Sequence, residues 1–322
     1  MRLLILGGTR FLGRALATDA VGRGWQVTAF HRGVSAAPPA GVAAVLGDRT
    51  QPGDLAPLTH RAWDAVIDTW DGPPQVVARS AAALEPACGR YVHVSSRSVY
   101  RDLSTRRLTE LSPLVSVDGD TFGARKAAAE HAVLATYGDR ALIARPGLVL
   151  GPHEQPERLV WWLRRLAHGG DVPVPGPPEL GLQCVDVRDL ARWLLDAAHS
   201  SLGGAYNVVS RPGHTTMGAL LSTCAEASGS RARLRWVPTA TVLAAGVRPW
   251  SDLPIWVPQD SDVRGLHETD AERAHATGLR CRPIAQTVAA TWDWLTSTPG
   301  PIPADGLGPE REAAILRGLD ER

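Results

Sequence analysis

The chain opens with an apolar run that leads into a glycine-rich turn, Leu4-Ile5-Leu6-Gly7-Gly8-Thr9-Arg10-Phe11-Leu12-Gly13. A helical period of apolar residues follows over 11–23, so a strand, a turn and a helix succeed one another. Gly7 permits the tight turn, and Gly13 lets the helix pack closely on the strand. The first turn of such a helix offers free N–H groups and a positive dipole end to a pyrophosphate. The pattern therefore favours a dinucleotide site over an ordinary strand-to-helix turn.

Short apolar runs alternate with helical patterns through the first half of the chain, which is typical of βαβ units around a parallel sheet. Strands are predicted at 2–6, 26–31, 42–46, 64–68, 91–95 and 141–145, and helices at 11–23, 76–87 and 122–137. We expect an α/β fold, namely a Rossmann-type doubly wound parallel sheet with a smaller C-terminal substrate-binding lobe.

Pro, Gly and Trp become frequent beyond Pro146, which indicates a second lobe. The predicted NADP-binding core comprises residues 1–150, and the segment 183–210 returns to it. The predicted substrate-binding lobe comprises 151–182 and 211–298, and a C-terminal tail follows at 299–322. Within the lobe, we expect a proline-rich loop at 173–178 and irregular structure at 231–259. The tail is predicted to be loosely packed.

The choice of dinucleotide is indicated by the end of the second predicted strand. An NAD enzyme places Asp or Glu there on the ribose 2′-hydroxyl, whereas this chain has Phe30-His31-Arg32-Gly33. Arginine accommodates the 2′-phosphate of NADP, and Arg10 within the glycine turn adds a second cation. We predict NADPH/NADP, with NAD less favoured; the alternative is that Arg32 is only a solvated loop residue. Asp48 is placed to accept from the adenine amino group, although an acid after a strand is also a common helix cap.

Four motifs occur in an order that resembles one known family. Together they are more specific for that family than any single motif is. They are the glycine turn, Val94-Ser95-Ser96-Arg97-Ser98-Val99-Tyr100, Phe122-Gly123-Ala124-Arg125-Lys126 with Glu130, and Arg145-Pro146-Gly147-Leu148-Val149-Leu150-Gly151-Pro152. Over residues 1–295 the chain resembles the extended and atypical short-chain dehydrogenases/reductases, also called the NAD-dependent epimerase/dehydratase family.

The resemblance implies a catalytic set of Ser96, Lys126 and the position of Phe122. In the family a Tyr-x-x-x-Lys pair lies on one helix face, where the lysine holds the nicotinamide ribose and lowers the pKa of the tyrosine. Phe122 stands where that tyrosine is needed and has no proton to give. Lys126 is nevertheless the only lysine in the chain, which indicates that the site is still used.

The proton then has several possible sources. Ser96, Lys126 through a ribose hydroxyl, an ordered water and a hydroxyl of the substrate are the candidates, and we favour the last two. Tyr100 ranks below them because it occupies the structural tyrosine position of the serine motif.

We expect a wider set of residues around this centre. Predicted cofactor contacts are Gly7, Gly8, Thr9, Arg10, Phe11, Leu12, Gly13, Arg32, Asp48, Arg49, Thr69, Ser95, Lys126, Pro146 and Leu148. Predicted substrate contacts are Trp70, Ser96, Tyr100, Phe122, Trp250 and Trp256. Core packing is the alternative for the two tryptophans of the second lobe. No metal is predicted, because His93, His153 and His214 lack ligand spacing.

Composition narrows the class of protein. A net charge of +1 argues against a dedicated nucleic-acid binder, although chloroplast RNA-binding relatives share the Gly-Gly-Thr-Arg-Phe stretch. The four cysteines are scattered, and the N-terminal apolar run is too short for a signal peptide or a membrane span. We expect a cytoplasmic monomer or homodimer with no membrane and no nucleic-acid partner.

These observations lead to three hypotheses for function. The first is an NADPH-dependent ketoreductase of secondary metabolism that reduces a bulky, aromatic or polyketide-like ketone with water- or substrate-assisted protonation. Its support is the richness in tryptophan, 11 residues against 3 phenylalanines. The second is a nucleotide-sugar epimerase or dehydratase, against which the absent tyrosine weighs. The third is a non-catalytic NADP-binding scaffold or sensor.

Overall fold

The structure, a computed structural model, describes residues 1–298 and 306–320. Its strands are β1 (Arg2–Leu6), β2 (Gln26–His31), β3 (Ala43–Leu46), β4 (Ala65–Asp68), β5 (Tyr91–Val94), β6 (Ala141–Pro146), β7 (Leu148–Leu150), β8 (Asp171–Pro175), β9 (Gly181–Leu182), β10 (Cys184–Asp186), β11 (Gly204–Val208), β12 (Thr215–Thr216) and β13 (Arg233–Val237). Its α-helices are α1 (Phe11–Gly22), α2 (Ala56–Thr59), α3 (Pro74–Leu84), α4 (Phe122–Tyr137), α5 (Arg158–Ala167), α6 (Val187–His199), α7 (Met217–Ala227), α8 (Thr239–Ala244), α9 (Glu272–Ala276), α10 (Ile284–Ser297) and α11 (Pro309–Asp320).

A parallel sheet of seven strands forms the centre, in the order β11-β6-β5-β4-β1-β2-β3. This confirms the predicted Rossmann-type doubly wound fold. The order reverses between β1 and β4, and ligands of such sheets bind in the crevice beyond the carboxyl ends at that point. The predicted bounds of β1, β2 and α4 agree with the structure, whereas the helix predicted at 76–87 lies at Pro74–Leu84.

The sheet is buried on both faces, which explains its continuous apolar strands. Because side chains alternate along a strand, Leu3 and Ile5 of β1 pack into one core with α1 and α6. Leu4 and Leu6 face the opposite core, which α3 and α4 cover. Within the described ranges, no helix is both long and apolar enough to cross a membrane.

The second lobe has its own core around α5, where Trp161 and Trp162 are fully buried and meet edge to face. Two predictions for this lobe are wrong. The proline-rich segment 173–178 begins inside β8, and the segment 231–259 contains β13, which pairs with β8 in parallel. Proline lacks an N–H but is accepted in such edge strands, and its partner strand lies far away in sequence.

The C-terminal tail is packed more firmly than predicted. Helix α11 lies on the second lobe, where Ile315 is buried and Glu312 forms an ion pair with Arg165 at 2.7 Å. The tail prediction for 299–305 and 321–322 lies outside the described residues. One part of the predicted substrate lobe also packs elsewhere, since Ala274 and Leu279 belong to the core of the sheet.

A buried carboxylate joins the strand ends beneath the crevice. Asp68, the last residue of β4, is fully buried and receives Arg49 through two hydrogen bonds of 2.5 and 2.7 Å. Tyr91 of β5 donates to the same carboxylate at 2.6 Å. Arg49 also donates to Ser80 of α3 at 2.9 Å. The guanidinium, despite the cost of burial, holds the pKa of Asp68 well below its usual range.

We therefore expect Arg49→Met to destabilise the fold by about 3–5 kcal/mol, because it leaves the Asp68 carboxylate buried without its cation. Urea unfolding measures the difference. Arg79→Met is the matched control, since Arg79 is exposed on the neighbouring helix and its loss should cost less than about 0.5 kcal/mol. A cost for Arg49→Met below about 1 kcal/mol would mean that the pair contributes no more than a surface ion pair.

A second buried carboxylate lies just before helix α5 and accepts hydrogen bonds from its first turn. Glu154 is 1% exposed, and its Oε2 accepts the backbone N–H groups of Leu159 and Val160 at 2.8 and 3.4 Å. Its Oε1 is buried without a hydrogen-bond partner. Burial raises the pKa of Glu154 to about 8, more than these bonds lower it.

The raised pKa predicts a pH dependence of stability. Between the usual value of 4.5 and about 8, folded Glu154 keeps a proton that the unfolded chain has lost, so stability falls as pH rises. The slope is at most about 1.4 kcal/mol per pH unit. Glu154→Gln keeps an acceptor for the helix and removes the titration, so its urea midpoint should exceed that of the wild type at pH 8 and lose this slope. Glu157→Gln is the control, and equal slopes in all three proteins would refute the prediction.

Candidate active site

A cleft of about 600 Å³ opens at the carboxyl ends of β1, β2 and β4. It brings together most of the predicted cofactor residues: Gly7, Gly8, Thr9, Arg10, Phe11, Leu12, Gly13, Arg32, Asp48, Arg49 and Thr69. Trp70, predicted to contact substrate, also lines it. The site thus lies where the strand order reverses.

The glycines of the turn are required by close contacts. Gly7 and Gly8 have φ angles of +125° and +100°, which side chains with a Cβ rarely adopt. A Cβ on Gly13 would lie 2.5 Å from the Gly8 nitrogen, so helix α1 packs directly on the turn. This packing brings the start of α1 to the floor of the cleft.

The start of α1 is free to bind an anion. Arg10 precedes the helix, no side chain caps its first N–H groups, and its first turn carries no acid. These unsatisfied donors and the helix dipole favour negative charge at this point. Arg10 is exposed beside them and adds a full positive charge.

The far end of the cleft is also basic. Arg32 is exposed, and its charge contributes to lowering the pKa of Asp48, after the larger effect of the hydrogen bonds from Thr50. His31 accepts from the Gly33 N–H at 3.1 Å, and burial lowers the pKa of its imidazole. No acid occupies the end of β2.

Four of the predicted cofactor residues, Ser95, Lys126, Pro146 and Leu148, are absent from the cleft lining, and a fifth, Arg49, lines it with its side chain committed elsewhere. The Arg49 guanidinium borders the cleft but is held by Asp68 and lies over Trp70 at 5.1 Å. Ser95 donates to Glu130 at 2.5 Å, beneath α4. Pro146 and Leu148 are buried and are absent from the lining. Their roles in binding a cofactor remain predictions.

Lys126 joins two strand ends beside the cleft. Its ammonium donates to the Val94 carbonyl at 2.7 Å and also to the Trp70 carbonyl. The side chain is 5% exposed, and burial lowers its pKa to about 8 although Asp68 and Asp71 oppose the shift. Lys126 can therefore release a proton near neutral pH.

The other two members of the predicted catalytic set lie on different elements, since Phe122 begins α4 and Ser96 lies in the turn after β5. Phe122 is 43% exposed, and Lys126 Nζ lies 6.0 Å from the centre of its ring. Gly123 packs on the turn that follows β5, since a Cβ there would overlap the Ser98 carbonyl oxygen. Ser96 in that turn is half-buried and accepts from the Ser98 N–H at 3.1 Å.

Three predicted substrate residues are used for packing. Tyr100 is 1% exposed, and its hydroxyl donates to Asn207 at 2.5 Å and accepts from Arg145. Trp256 is fully buried in the second lobe. Trp250 is half-buried and lies under Arg158, 4.7 Å from its guanidinium carbon. The structure does not bring these three side chains to the cleft lining.

The sequence reasoning missed several residues at the cleft. Asp71 follows Trp70 there, and Gln155 and Pro156 reach it from the start of the second lobe. No local pattern marks a loop that returns from so far along the chain. As for metals, no group of three or more His, Cys, Asp or Glu side chains within 1–298 and 306–320 could hold an ion. His93 is fully buried, and His153 packs against Trp294 at 4.9 Å.

Comparison with known proteins identifies the family. The model of the NAD dependent epimerase/dehydratase family matches residues 3–208. Among curated proteins, the chain is 27% identical over 247 residues to the chloroplast stem-loop binding protein of 41 kDa b of Arabidopsis thaliana, covering 71% of this chain and 63% of that one. It is 32% identical over 122 residues to a dTDP-glucose 4,6-dehydratase of Actinoplanes sp., covering 37% and 35%. The chain thus spans less than two thirds of either relative.

Solved structures share the fold. The UDP-glucose 4-epimerase of Thermus thermophilus, in complex with NAD, aligns with a TM-score of 0.67 at 20% identity over 92% of this chain and 100% of that one. The UDP-glucose 4-epimerase of Thermotoga maritima, with UDP-glucose, aligns with a TM-score of 0.70 at 15% identity over 92% and 99%. At these identities the likeness shows the fold alone.

The ketoreductase hypothesis is wrong in the light of these matches. The family model and the dTDP-glucose 4,6-dehydratase relative agree better with the second hypothesis than with the reduction of a free ketone. The tryptophans that had suggested an aromatic substrate lie mostly in the core of the second lobe. The resemblance seen in the motifs is confirmed, and this chain belongs to the NAD dependent epimerase/dehydratase family.

Proposed function

We propose that this chain binds a nicotinamide dinucleotide in the cleft and acts on a nucleotide-activated sugar by epimerase or dehydratase chemistry. The observation that carries the proposal is the buried Lys126 beside the cleft, four residues after Phe122 on α4. Support for the substrate class comes from the dTDP-glucose 4,6-dehydratase relative and the UDP-glucose 4-epimerase structures.

The residues present fit a dinucleotide. A Cβ on Gly7 would clash with the Thr69 hydroxyl and one on Gly13 with the Gly8 backbone, so only glycines keep α1 close to the turn. The start of α1 then offers its N–H donors to a pyrophosphate. Arg32 stands where the adenosine ribose of such cofactors lies in this fold. We therefore propose a preference for NADP over NAD, although the Thermus epimerase structure contains NAD.

The preference is tested with Arg32→Gln. We expect wild-type protein to bind NADPH more tightly than NADH, and the variant to bind NADPH about tenfold more weakly because a charge-assisted contact to phosphate is lost. Energy transfer from tryptophan to the reduced nicotinamide measures both dissociation constants. Arg61→Gln, at an exposed arginine away from the cleft, is the control. Equal affinity of the wild type for NADPH and NADH would contradict the preference.

The chemistry needs a group that takes a proton from a sugar hydroxyl. When bound, the nicotinamide would accept a hydride from the carbon that bears this hydroxyl and return it later. Phe122 cannot take the proton, and Ser96 has no base among its hydrogen-bond partners. Lys126, whose pKa burial lowers to about 8, is neutral in part near neutral pH and can accept a proton and return it.

This assignment predicts a pH profile. Turnover of a nucleotide sugar with added dinucleotide should rise as pH increases through about 8, because the neutral amine of Lys126 is the active form. Lys126→Met should abolish turnover. Phe122→Tyr restores a phenol and should raise turnover about 100-fold or more. NMR of UDP-glucose and dTDP-glucose reactions detects epimerised or dehydrated product in each case. Retained turnover in Lys126→Met would refute the role of the lysine.

A second candidate function is binding without turnover. Its support is Phe122, which leaves an exposed apolar ring where the chemistry of the family needs a hydroxyl. Tight binding of a dinucleotide, with no product from any nucleotide sugar at any pH, would favour this non-catalytic function.

A further inference from the structure

Hydrogen-bond donors without acceptors are gathered between the sheet and the second lobe. The unpaired atoms are Arg97 Nε, Arg264 Nε and Nη1, and His267 Nε2. The three residues are only 2%, 5% and 3% exposed. We call these three residues the donor cluster. Buried polar groups normally have a partner, so an unmatched group points to a bound water, ion or ligand.

Gln183 places these residues next to one another. Its side-chain oxygen accepts from Arg97 Nη1 at 3.1 Å, and its backbone N–H donates to His267 Nδ1 at 3.0 Å. Arg264 donates to the Gly181 carbonyl, two residues before Gln183. Burial lowers the pKa of His267 most, and the charges of Arg97 and Arg264 lower it further, to about 3.

All the unmatched atoms are donors. Because His267 Nδ1 accepts a hydrogen bond, a neutral imidazole must carry its proton on Nε2. Arginine nitrogens can only donate, so every unmatched atom of the donor cluster needs a hydrogen-bond acceptor.

Positive charge exceeds negative charge at the same place. No carboxylate of the described residues pairs with Arg97, and its burial without one lowers its pKa to about 10. The nearest carboxylate to Arg264 is Glu268, 3.6 Å from Nε, and Glu268 is shared with the exposed Arg106. A buried guanidinium without a counter-ion is costly, so an anion would stabilise this arrangement.

The donor cluster borders the proposed reaction centre. Arg97 directly follows Ser96, and its guanidinium lies on Gly147, where a Cβ would overlap Nη2. Gly147 is half-buried and follows the carboxyl end of β6. Arg264 and His267 come from the second lobe, so the donor cluster joins the turn after β5 to that lobe.

We propose that the donor cluster binds a compact oxyanion, either a carboxylate or a phosphate group, and that Arg97 and Arg264 select the ligand by this charge. Guanidinium groups bind such oxyanions through paired hydrogen bonds, and His267 Nε2 supplies a further donor. The oxyanion comes either from free inorganic phosphate or from the substrate itself. In the second case the inference rests on the proposed function and deepens it by naming an acidic ligand.

The test uses the full chain and needs neither dinucleotide nor turnover, so its failure is separate from failure of the proposed reaction. Calorimetry and thermal unfolding are followed for wild type, Arg97→Met, Arg264→Met and the control Arg233→Gln, whose side chain is 77% exposed. The probes are inorganic phosphate and two nucleotide sugars that differ by one carboxylate, UDP-glucuronate and UDP-glucose.

We expect saturable binding of phosphate, or of UDP-glucuronate in preference to UDP-glucose, by the wild type and the control. Each methionine variant should bind about tenfold more weakly or worse, since one charge-assisted contact is lost. Without ligand, Arg97→Met should unfold no lower than wild type, because an unpaired buried charge is removed. Binding of phosphate alone identifies a free anion, and discrimination between the sugars identifies a substrate group.

Two results would overturn the inference. One is a rise in unfolding temperature with phosphate that is equal in all four proteins, because excluded salts stabilise any fold. The other is an absence of wild-type binding to all three probes. If Arg97→Met does not fold, Arg264→Met alone makes the same comparison.

Discussion

The Asp68 carboxylate receives two nitrogens of Arg49, the Tyr91 hydroxyl and the Trp70 N–H where β4 ends. These contacts join the loop after β3 to the two central strands below the cleft. The carbonyl of Trp70, which follows Asp68 closely, is in turn an acceptor for Lys126. The position of Lys126 thus depends on the buried Asp68 carboxylate. Any movement of β4 would displace the floor of the cleft and Lys126 together.

The sequence allowed the local parts of this arrangement to be predicted. The strand, glycine turn and helix of 2–23 depend on neighbouring residues, and Gly13 was assigned its packing role from the motif alone. The partner of Arg49 could not be predicted, because Asp68 is 19 residues away and the pairing depends on the order of the strands. Trp256 was misplaced for the same reason, since burial in the second lobe is set by distant elements.

Phe122 and Lys126 lie four residues apart on α4, so the roles proposed for the two side chains are linked. In the usual pair the lysine remains protonated and supports a phenolate. Here the ammonium of Lys126 donates to two backbone carbonyls and burial lowers its pKa to about 8, which is why we propose that it exchanges the proton directly. The retention of the only lysine of the chain at this position is consistent with such a direct role.

Two regions of the molecule carry more positive than negative charge. The first is the basic end of the cleft with Arg10 and Arg32, and the second is the donor cluster with Arg97 and Arg264. Exposed arginines can be neutralised by water and salt, whereas the guanidinium of Arg97 is 2% exposed and has only neutral partners in Gln183 and Thr269, so a bound anion would stabilise it more. Selection by charge would therefore be stronger at the donor cluster than at the basic end of the cleft.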